Sequence, residues 1–287
     1  DLGGSAAYPP YEGFMNAMPA YVGWADSAGI KWAGGFLGER KKQGLPYITS
    51  MIMLIDPQIG IFTAVMDGTL ITNWRTGAQA AVGLKYLRKR KSVKLGFYGA
   101  GMQARTTTMA ISTIFDVEEI KVYDLYQETA LKFSEEMRSY SISDIMVVDT
   151  PEEAAENVDA IITVTQSKEK FLKNEWVAPG TIVFTMGSYQ ECDDDFIMTA
   201  NKIVVDHVEQ CLHRGALKEL GEAGRITERT LYATIGELAA GKKPCDFLEN
   251  ERILCVPIGT GAMDIAVATI AAQRAQEKGL GGRFKFV

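Results

Sequence analysis

A short apolar run, Val93, Leu95 and Phe97, leads straight into Gly99-Ala100-Gly101-Met102-Gln103-Ala104, and the chain continues in residues suited to a helix. This order constrains the fold more than any other stretch, because each small residue meets a backbone need. Gly99 makes the tight turn, Gly101 lets the backbone approach a pyrophosphate, and Ala104 lets the helix lie close on the strand. The helix N-terminus then offers its N–H groups to the anion. Glycine pairs are common in turns, so this spacing alone is a weak signal. It gains weight from a second strand, Ile120 to Tyr123, which ends in Asp124, about 20 residues after the turn, where a carboxylate accepts hydrogen bonds from ribose hydroxyls. The same acid repels a 2′-phosphate, and Leu125 and Tyr126 supply no cation to hold one. The expected cofactor is NAD rather than NADP.

From residue 93 onward, short apolar runs alternate with helical patterns, as in a parallel sheet covered on both faces. The pattern predicts strands at 93–98, 120–123, 145–149, 160–165, 181–186 and 202–206, and helices at 102–115, 127–139, 151–157 and 193–199. Thr150 is the expected N-cap before Pro151. Six strands with a crossover at the fourth fit a doubly wound sheet of order 3-2-1-4-5-6, with ligands gathering at Gly99, Asp124, Thr165 and Gly187. The first 90 residues read differently, as extended segments 30–36, 46–55 and 61–66 followed by a helix from about Arg75 to Leu87. There Gly77, Ala80, Ala81, Leu84 and Leu87 form a closely packing stripe. After residue 208 the pattern predicts helices at 209–219 and 226–240, a strand at 252–256 and a last helix from Ala262 to Lys278. The expected fold class is α/β: a Rossmann doubly wound parallel sheet plus a second α+β substrate and dimerisation domain with mostly antiparallel strands. The expected division is 1–90, completed by 262–287, for substrate binding and dimerisation, and 91–261 for NAD.

A chain of 287 residues favours two domains, and its net charge of −6 argues against a nucleic-acid groove. The cluster Lys85, Arg88, Lys89, Arg90, Lys91 and Lys94 falls where a helix ends and reads as a solvated, dipole-matched terminus. The apolar region Tyr47 to Met66 is broken by Asp56-Pro57-Gln58, so it reads as two strands and a turn rather than a membrane span. Cys192, Cys211, Cys245 and Cys255 show no C-x-x-C spacing and are expected to be reduced thiols of a cytoplasmic protein. His207 and His213, six apart, would not share a helix face, so no metal is expected. The chain begins at Asp1 with neither a methionine nor a signal-like apolar segment, so a further N-terminal piece is expected outside this sequence.

Two cations stand out. Lys31 lies in Gly29-Ile30-Lys31-Trp32-Ala33-Gly34-Gly35, where the glycines let a ligand or backbone come near. By pattern alone it reads first as an edge lysine that keeps a sheet from pairing. Arg75 follows Ile71-Thr72-Asn73-Trp74 at an expected helix start, where a guanidinium fork and the positive dipole end would together receive a carboxylate, or where the arginine is merely a surface residue.

The sequence resembles the ornithine cyclodeaminase and mu-crystallin family, which includes archaeal-type alanine dehydrogenases and ketimine reductases. The resemblance covers nearly the whole chain: AMPAYVG at 17–23, IKWAGGF at 30–36, GLPYITSMIMLIDPQIG at 44–60 and MDGTLITNWRTGAQAAVGLKYL at 66–87. It continues in GFYGAGMQAR, TVTQS at 163–167, PGTIVFTMGS at 179–188, IGELAAGKKP at 235–244 and IGTGAMD at 258–264. It implies that Lys31 and Arg75 contact the substrate carboxylate. It also implies that Gly99, Ala100, Gly101, Met102, Gln103, Asp124, Thr165, Met186, Gly187 and Ser188 line the NAD site. Ile258 and Gly259 would approach the nicotinamide, and Arg75 would serve the cofactor as well.

The departures narrow the activity. Cyclodeaminases of the family carry an aspartate after the fifth strand and a glutamate before the Met-Pro pair; here Gly187-Ser188-Tyr189 and Asn16 stand there. Without them a second substrate ammonium has no counter-ion, and an unpaired buried charge costs several kcal/mol. Glu191 and Asp193 to Asp195 lie just beyond and offer substitutes, although an acid run at a helix start more often caps it. An arginine that relatives carry upstream of the Met-Pro pair has no match in residues 1–17. The expected activity is therefore NAD-dependent oxidation or reduction at the carbon–nitrogen bond of a small amino or imino acid. Lys31 and Tyr189 are the candidate catalytic residues, Tyr189 having a packing role as its alternative. Asp264 is expected to cap the final helix rather than to orient Lys31. The alternatives are an NAD-assisted cyclodeaminase and a non-catalytic ligand binder of mu-crystallin type. By the same resemblance the partners are a small amino or imino acid and a second copy of the chain, with neither nucleic acid nor membrane.

Overall fold

Residues 13–36 and 39–285 are described by the computed structural model, and the chain divides into two compact units at Arg75/Thr76 and Gly259/Thr260. Residues 1–12, most of the stretch in which no upstream arginine is found, lie outside the described residues.

In the first unit β1 (Gly13–Val22), β2 (Ser27–Phe36), β3 (Ile48–Ile55) and β4 (Phe62–Asp67) form an antiparallel sheet in chain order, with one helical turn, α1 (Glu39–Lys42), before β3. β1 is not anticipated by the apolar pattern, because Pro19 interrupts it; as an edge strand it tolerates a residue without an N–H. Strand alternation turns Lys31, Ala33 and Gly35 of β2 inward and Trp32 outward. The inner face meets the last helix, α10 (Gly261–Glu277), whose buried Gly261, Asp264, Ile265 and Ala268 recur at three- and four-residue spacing. Val22, Ile52 and Leu54 complete that core. The approach is close enough to demand glycine twice. A Cβ on Gly29 would lie 2.3 Å from the Met53 carbonyl oxygen and 3.0 Å from Ile265, and one on Gly261 would lie 2.6 Å from the Met18 carbonyl oxygen.

Helix α2 (Thr69–Leu87) begins six residues before the expected start, where Asp67 accepts a hydrogen bond from the Thr69 N–H at 2.8 Å. It crosses from the first unit into the second, so the boundary between the units falls inside this helix rather than at residue 90. The reason is its small-residue stripe. Ala80, Ala81, Leu84 and Leu87 join the core of the second unit. A Cβ on Gly77 would lie 2.4 Å from the Thr106 carbonyl oxygen, and one on Gly83 would lie 2.9 Å from the Phe184 ring.

The second unit is built on an eight-stranded, all-parallel sheet: β5 (Ser92–Tyr98), β6 (Asp116–Tyr123), β7 (Met146–Val147), β8 (Ala160–Thr163), β9 (Ile182–Thr185), β10 (Lys202–Val205), β11 (Ala233–Thr234) and β12 (Ile253–Val256). Its order is β11-β10-β12-β9-β8-β5-β6-β7. The first five strands follow the expected 3-2-1-4-5. The sixth place does not: β12, with all four residues buried, inserts between β9 and β10, and β10 moves one position outward. An entirely apolar strand needs a neighbour on each side and cover on each face.

The helices between strands are α3 (Met102–Ser112), α4 (Gln127–Met137), α5 (Pro151–Ala155), α6 (Asp194–Thr199), α7 (Val208–His213), α8 (Lys218–Glu222) and α9 (Ile235–Ala239). Leu95 and Phe97 pack with α3 and α4 residues on one face, and Tyr98 and Ile161 with α5 and α6 residues on the other. Thr150 and Glu153 form a reciprocal cap at the start of α5. Two helical expectations fail. The stretch 209–219 is broken at Gly215, whose φ of 68° ends α7 before α8 begins. In 226–240 only α9 is α-helical, launched by Thr234 and Glu237 as a capping box directly after β11. No helix among the described residues is long and apolar enough to cross a membrane. The apolar stretch 47–66 contains β3 and β4, joined by a turn in which Asp56 accepts from the Gln58 N–H at 2.8 Å.

Candidate active site

The first unit assembles three charged side chains from distant parts of the sequence. Lys31 comes from β2, Arg75 from α2 and Asp264 from the first turn of α10. Lys31 Nζ lies 2.6 Å from Asp264 Oδ2, and Arg75 Nε donates to Asp264 Oδ1 at 2.9 Å. Their side chains are 1%, 9% and 0% exposed. Three expectations are corrected here. Lys31 sits on a strand paired on both sides, not on an edge. Asp264 does not cap α10; its carboxylate faces inward and orients both cations. Arg75 is nearly two turns into α2, beyond the reach of the helix dipole, so its attraction for anions is that of its own guanidinium. With Nε committed to Asp264, Nη1 and Nη2 make no hydrogen bond among the described residues. Asn16 lies half-buried on β1.

In the second unit the residues of the glycine turn come together at the C-terminal end of β5. Gly99 has φ 92°, and a Cβ on it would lie 2.8 Å from the Val164 carbonyl oxygen, so the turn requires glycine. A Cβ on Gly101 would meet nothing within 4 Å. The turn therefore opens onto space just where α3 starts with no side-chain cap on its first N–H groups. Met102 is exposed there and Gln103 half-buried. Asp124 follows β6 and holds the turn in shape: Oδ2 accepts from the Ala100 N–H at 2.8 Å and Oδ1 from the Tyr126 N–H at 2.9 Å. A carboxylate has about four acceptor directions, so two remain for hydroxyl donors. Leu125 and Tyr126 are exposed and carry no cation. Open backbone, uncapped helix and acid together fit a dinucleotide lacking a 2′-phosphate.

Because the sheet is parallel, Thr165, Met186, Gly187, Ser188, Ile258 and Gly259 follow strand ends on the same edge as Gly99 and Asp124. Tyr189 is 40% exposed there, with Lys168 Nζ 5.9 Å from its ring. The acid run beyond it is occupied. Asp193 caps α6 by accepting from the Phe196 N–H at 2.8 Å, and Asp194 pairs with Lys170 at 2.8 Å. Glu191 is fully buried on Thr163 and Thr165, and that burial raises its pKa above the ordinary glutamate value.

Sequence reasoning missed Asp206 at the end of β10. Its Oδ2 accepts from Gln79 Nε2 and from the Gly259 N–H, each at 2.6 Å. The signal was present, because an acid closing an apolar strand is also how Asp124 was found. All four cysteines are free; burial pushes Cys211 up to about 12 and Cys255 well above an ordinary thiol.

A doubly wound sheet with such a turn defines a dinucleotide-binding protein. The model of the ornithine cyclodeaminase/mu-crystallin family matches residues 6–279. The chain is 34% identical to the alanine dehydrogenase of Archaeoglobus fulgidus over 99% of its own length and 89% of that protein. It is similar to the solved Thermococcus litoralis Δ1-pyrroline-2-carboxylate reductase in complex with NADH and L-proline, with a TM-score of 0.89, 32% identity and coverage of 96% and 86%. An archaeal alanine dehydrogenase dimer with bound NAD matches at a TM-score of 0.89, 34% identity and coverage of 96% and 85%. The chain belongs to the ornithine cyclodeaminase/mu-crystallin family.

Proposed function

We propose that this protein is an NAD-dependent oxidoreductase that acts on the carbon–nitrogen bond of a small amino or imino acid, with Arg75 and Lys31 receiving the substrate carboxylate. The observation that carries the reading is the half-committed guanidinium of Arg75. Held 9% exposed beside Asp264, it spends only Nε on that carboxylate, and its Nη1/Nη2 fork matches a second, ligand carboxylate in a bidentate pair.

NAD supplies the hydride acceptor for the amine direction, and NADH the donor for the imine direction. Oxidation of an amino acid removes a hydride from Cα and a proton from nitrogen; reduction of the imine returns both. Lys31, held by Asp264, would polarise or protonate the nitrogen-bearing centre. Arg75 fixes the carboxylate so that Cα is presented in one orientation. The backbone of Gly99, Ala100, Gly101, Met102 and Gln103 would hold the pyrophosphate and Asp124 a ribose. Thr165, Met186, Gly187, Ser188, Ile258, Gly259 and Arg75 would complete the cofactor contacts. Tyr189 is the candidate for a contact to the substrate nitrogen or side chain. The similarity to an archaeal alanine dehydrogenase with bound NAD and to a Δ1-pyrroline-2-carboxylate reductase in complex with NADH and L-proline supports the reading of the activity.

Asn16 and the Gly187-Ser188-Tyr189 turn leave no carboxylate where cyclodeaminases handle a second ammonium, so the favoured substrate has an uncharged side chain. The protein mixed with NAD and a panel of amino acids should generate NADH, followed by absorbance. Ammonia release without net NADH would replace this reading by cyclodeamination, and ligand binding with no turnover would replace it by a non-catalytic binder. Arg75→Ala should raise the substrate KM by about 100-fold, in keeping with about 2–5 kcal/mol for truncating a buried charge contact, and should change the NADH Kd much less.

The first unit also offers a surface for a second copy of the chain. The outer face of its sheet presents Met15, Tyr21, Trp32, Met51, Phe62 and Val65 to solvent, an apolar surface of the kind that marks a protein interface. The proposed occupant is a second copy, giving a homodimer whose mass light scattering would measure. The free thiols, three of the four buried, accord with a cytoplasmic location.

A further inference from the structure

Glu191 is a buried carboxylate that the proposed chemistry leaves unused. It is fully buried, and three hydrogen bonds converge on it: from Thr163 Oγ1 to Oε2 at 2.7 Å, from the Thr165 N–H to Oε1 at 2.9 Å, and from Thr165 Oγ1 to Oε1. The Gly187 backbone turns its N–H toward the same group. A Cβ on Gly187 would lie 2.4 Å from Oε2, so the glycine is what admits the carboxylate. One side chain thus ties the end of β8 to the end of β9, the two strand ends that carry Thr165 and Gly187.

The consequence concerns the direction of one hydroxyl. The Thr165 N–H can only donate, which marks Oε1 as the acceptor oxygen, so the Thr165 hydroxyl spends its single proton on Oε1 as well. That hydroxyl oxygen also accepts from the Ser167 N–H at 3.0 Å. A hydroxyl has one proton and two lone pairs; one lone pair remains. We infer that Glu191 is a positioning residue that fixes Thr165 as an obligate acceptor, so that this strand end reads a neutral hydrogen-bond donor on the dinucleotide, a sugar hydroxyl or the carboxamide amide, and rejects a phosphate oxygen. The inference rests on the NAD-dependent reading of this edge of the sheet.

The test is NADH affinity, read by fluorescence titration on the whole protein, with thermal unfolding run in parallel. Thr165→Val keeps the shape and removes the acceptor. Glu191→Gln keeps the shape and sets an amide against Thr165. Each should raise the NADH Kd about tenfold, the loss of one hydrogen bond of about 1.4 kcal/mol. Thr165→Ser should restore wild-type affinity. Because the two residues act through one contact, the double variant should be no more than about tenfold weaker than wild type rather than about 100-fold. Repeating the titration with reduced 3-acetylpyridine adenine dinucleotide, which lacks the amide N–H, separates the donors. A penalty that persists assigns a sugar hydroxyl, and one that vanishes assigns the carboxamide. Single variants that bind NADH like wild type, or penalties that multiply, would overturn the inference and leave the function intact. So would a Thr165→Ser variant as weak as Thr165→Val, because packing alone would then explain the loss. A Glu191→Gln chain that fails to fold leaves the decision to the Val and Ser variants of Thr165, which sits on a half-buried loop. Wild-type protein that does not bind NADH would sink both readings.

Discussion

The two units hold their candidate ligand-binding groups by opposite means. In the first, formal charges are buried together: Lys31, Arg75 and Asp264 sit in one ion-paired trio. In the second, the work is done by backbone and neutral dipoles: the open turn at Gly101, the uncapped start of α3, and threonine hydroxyls oriented by a buried glutamate that meets no cation among its hydrogen-bond partners. A small carboxylate with few atoms to grip requires charge for affinity. A dinucleotide is long, and many modest contacts suffice if the chain can come close.

This contrast is sharpest in the effect of removing one acid from each unit. Asp264→Asn removes the carboxylate that Lys31 and Arg75 share, and breaking a buried pair in this way costs about 3–5 kcal/mol. Urea unfolding should show that loss as a lowered midpoint, and an unchanged midpoint would mean that these ion pairs are solvated and contribute nothing to the fold. Asp124→Asn should act on ligand choice instead. The asparagine still offers one acceptor to the turn, so stability should fall by less than in Asp264→Asn. The NADH Kd should rise about tenfold, within the worth of hydrogen bonds to a charged group. The NADPH Kd should stay level or improve, because the repulsion of a 2′-phosphate is gone; equal losses for both cofactors would show that Asp124 only braces the turn.

The same contrast decides what the sequence discloses. The candidate dinucleotide site is written in two short stretches, 99–104 and the end of the following strand, because backbone shape is set by adjacent residues. Seven of the eight strands, all but β11, are legible for that reason, and five of them stand in the expected order. Nothing local in the sequence tells that β12 slips between β9 and β10, since that choice depends on which strand is apolar on both faces once all are packed. The trio is worse placed still: residues 31, 75 and 264 share no window, and Lys31 carries the same local pattern as an edge lysine. Local pattern brought Lys31 and Arg75 forward, but only likeness to a family raised them above an edge lysine and a surface arginine, and even then Asp264 looked like a helix cap. Its true partners are fixed by glycines at 29 and 261 that draw α10 onto the sheet, a long-range condition. Asp206 was missed for a different reason, since its acid-after-strand signal resembles that of Asp124 but no glycine turn drew attention to it.

The smallest expected effect lies with pH. Burial raises the pKa of Glu191 above that of an ordinary glutamate, partly offset by the hydrogen bonds from Thr165, Thr163 and Gly187. The folded chain therefore holds this proton more tightly than the unfolded chain, where the value is about 4.3. The sign follows from linkage: the stabilisation is fully present below the unfolded value and is lost as pH rises through the raised folded value. Glu191→Gln cannot ionise, so its stability lacks this component. The stability of wild type relative to Glu191→Gln should thus decline on going from acid toward neutral pH, as read from unfolding midpoints of both proteins across that range. Parallel curves would mean that the neutral donors around Glu191 hold its charge as well as water does. The distinction between a unit that buries paired charge and one that buries a charge on dipoles alone would then lose its physical basis.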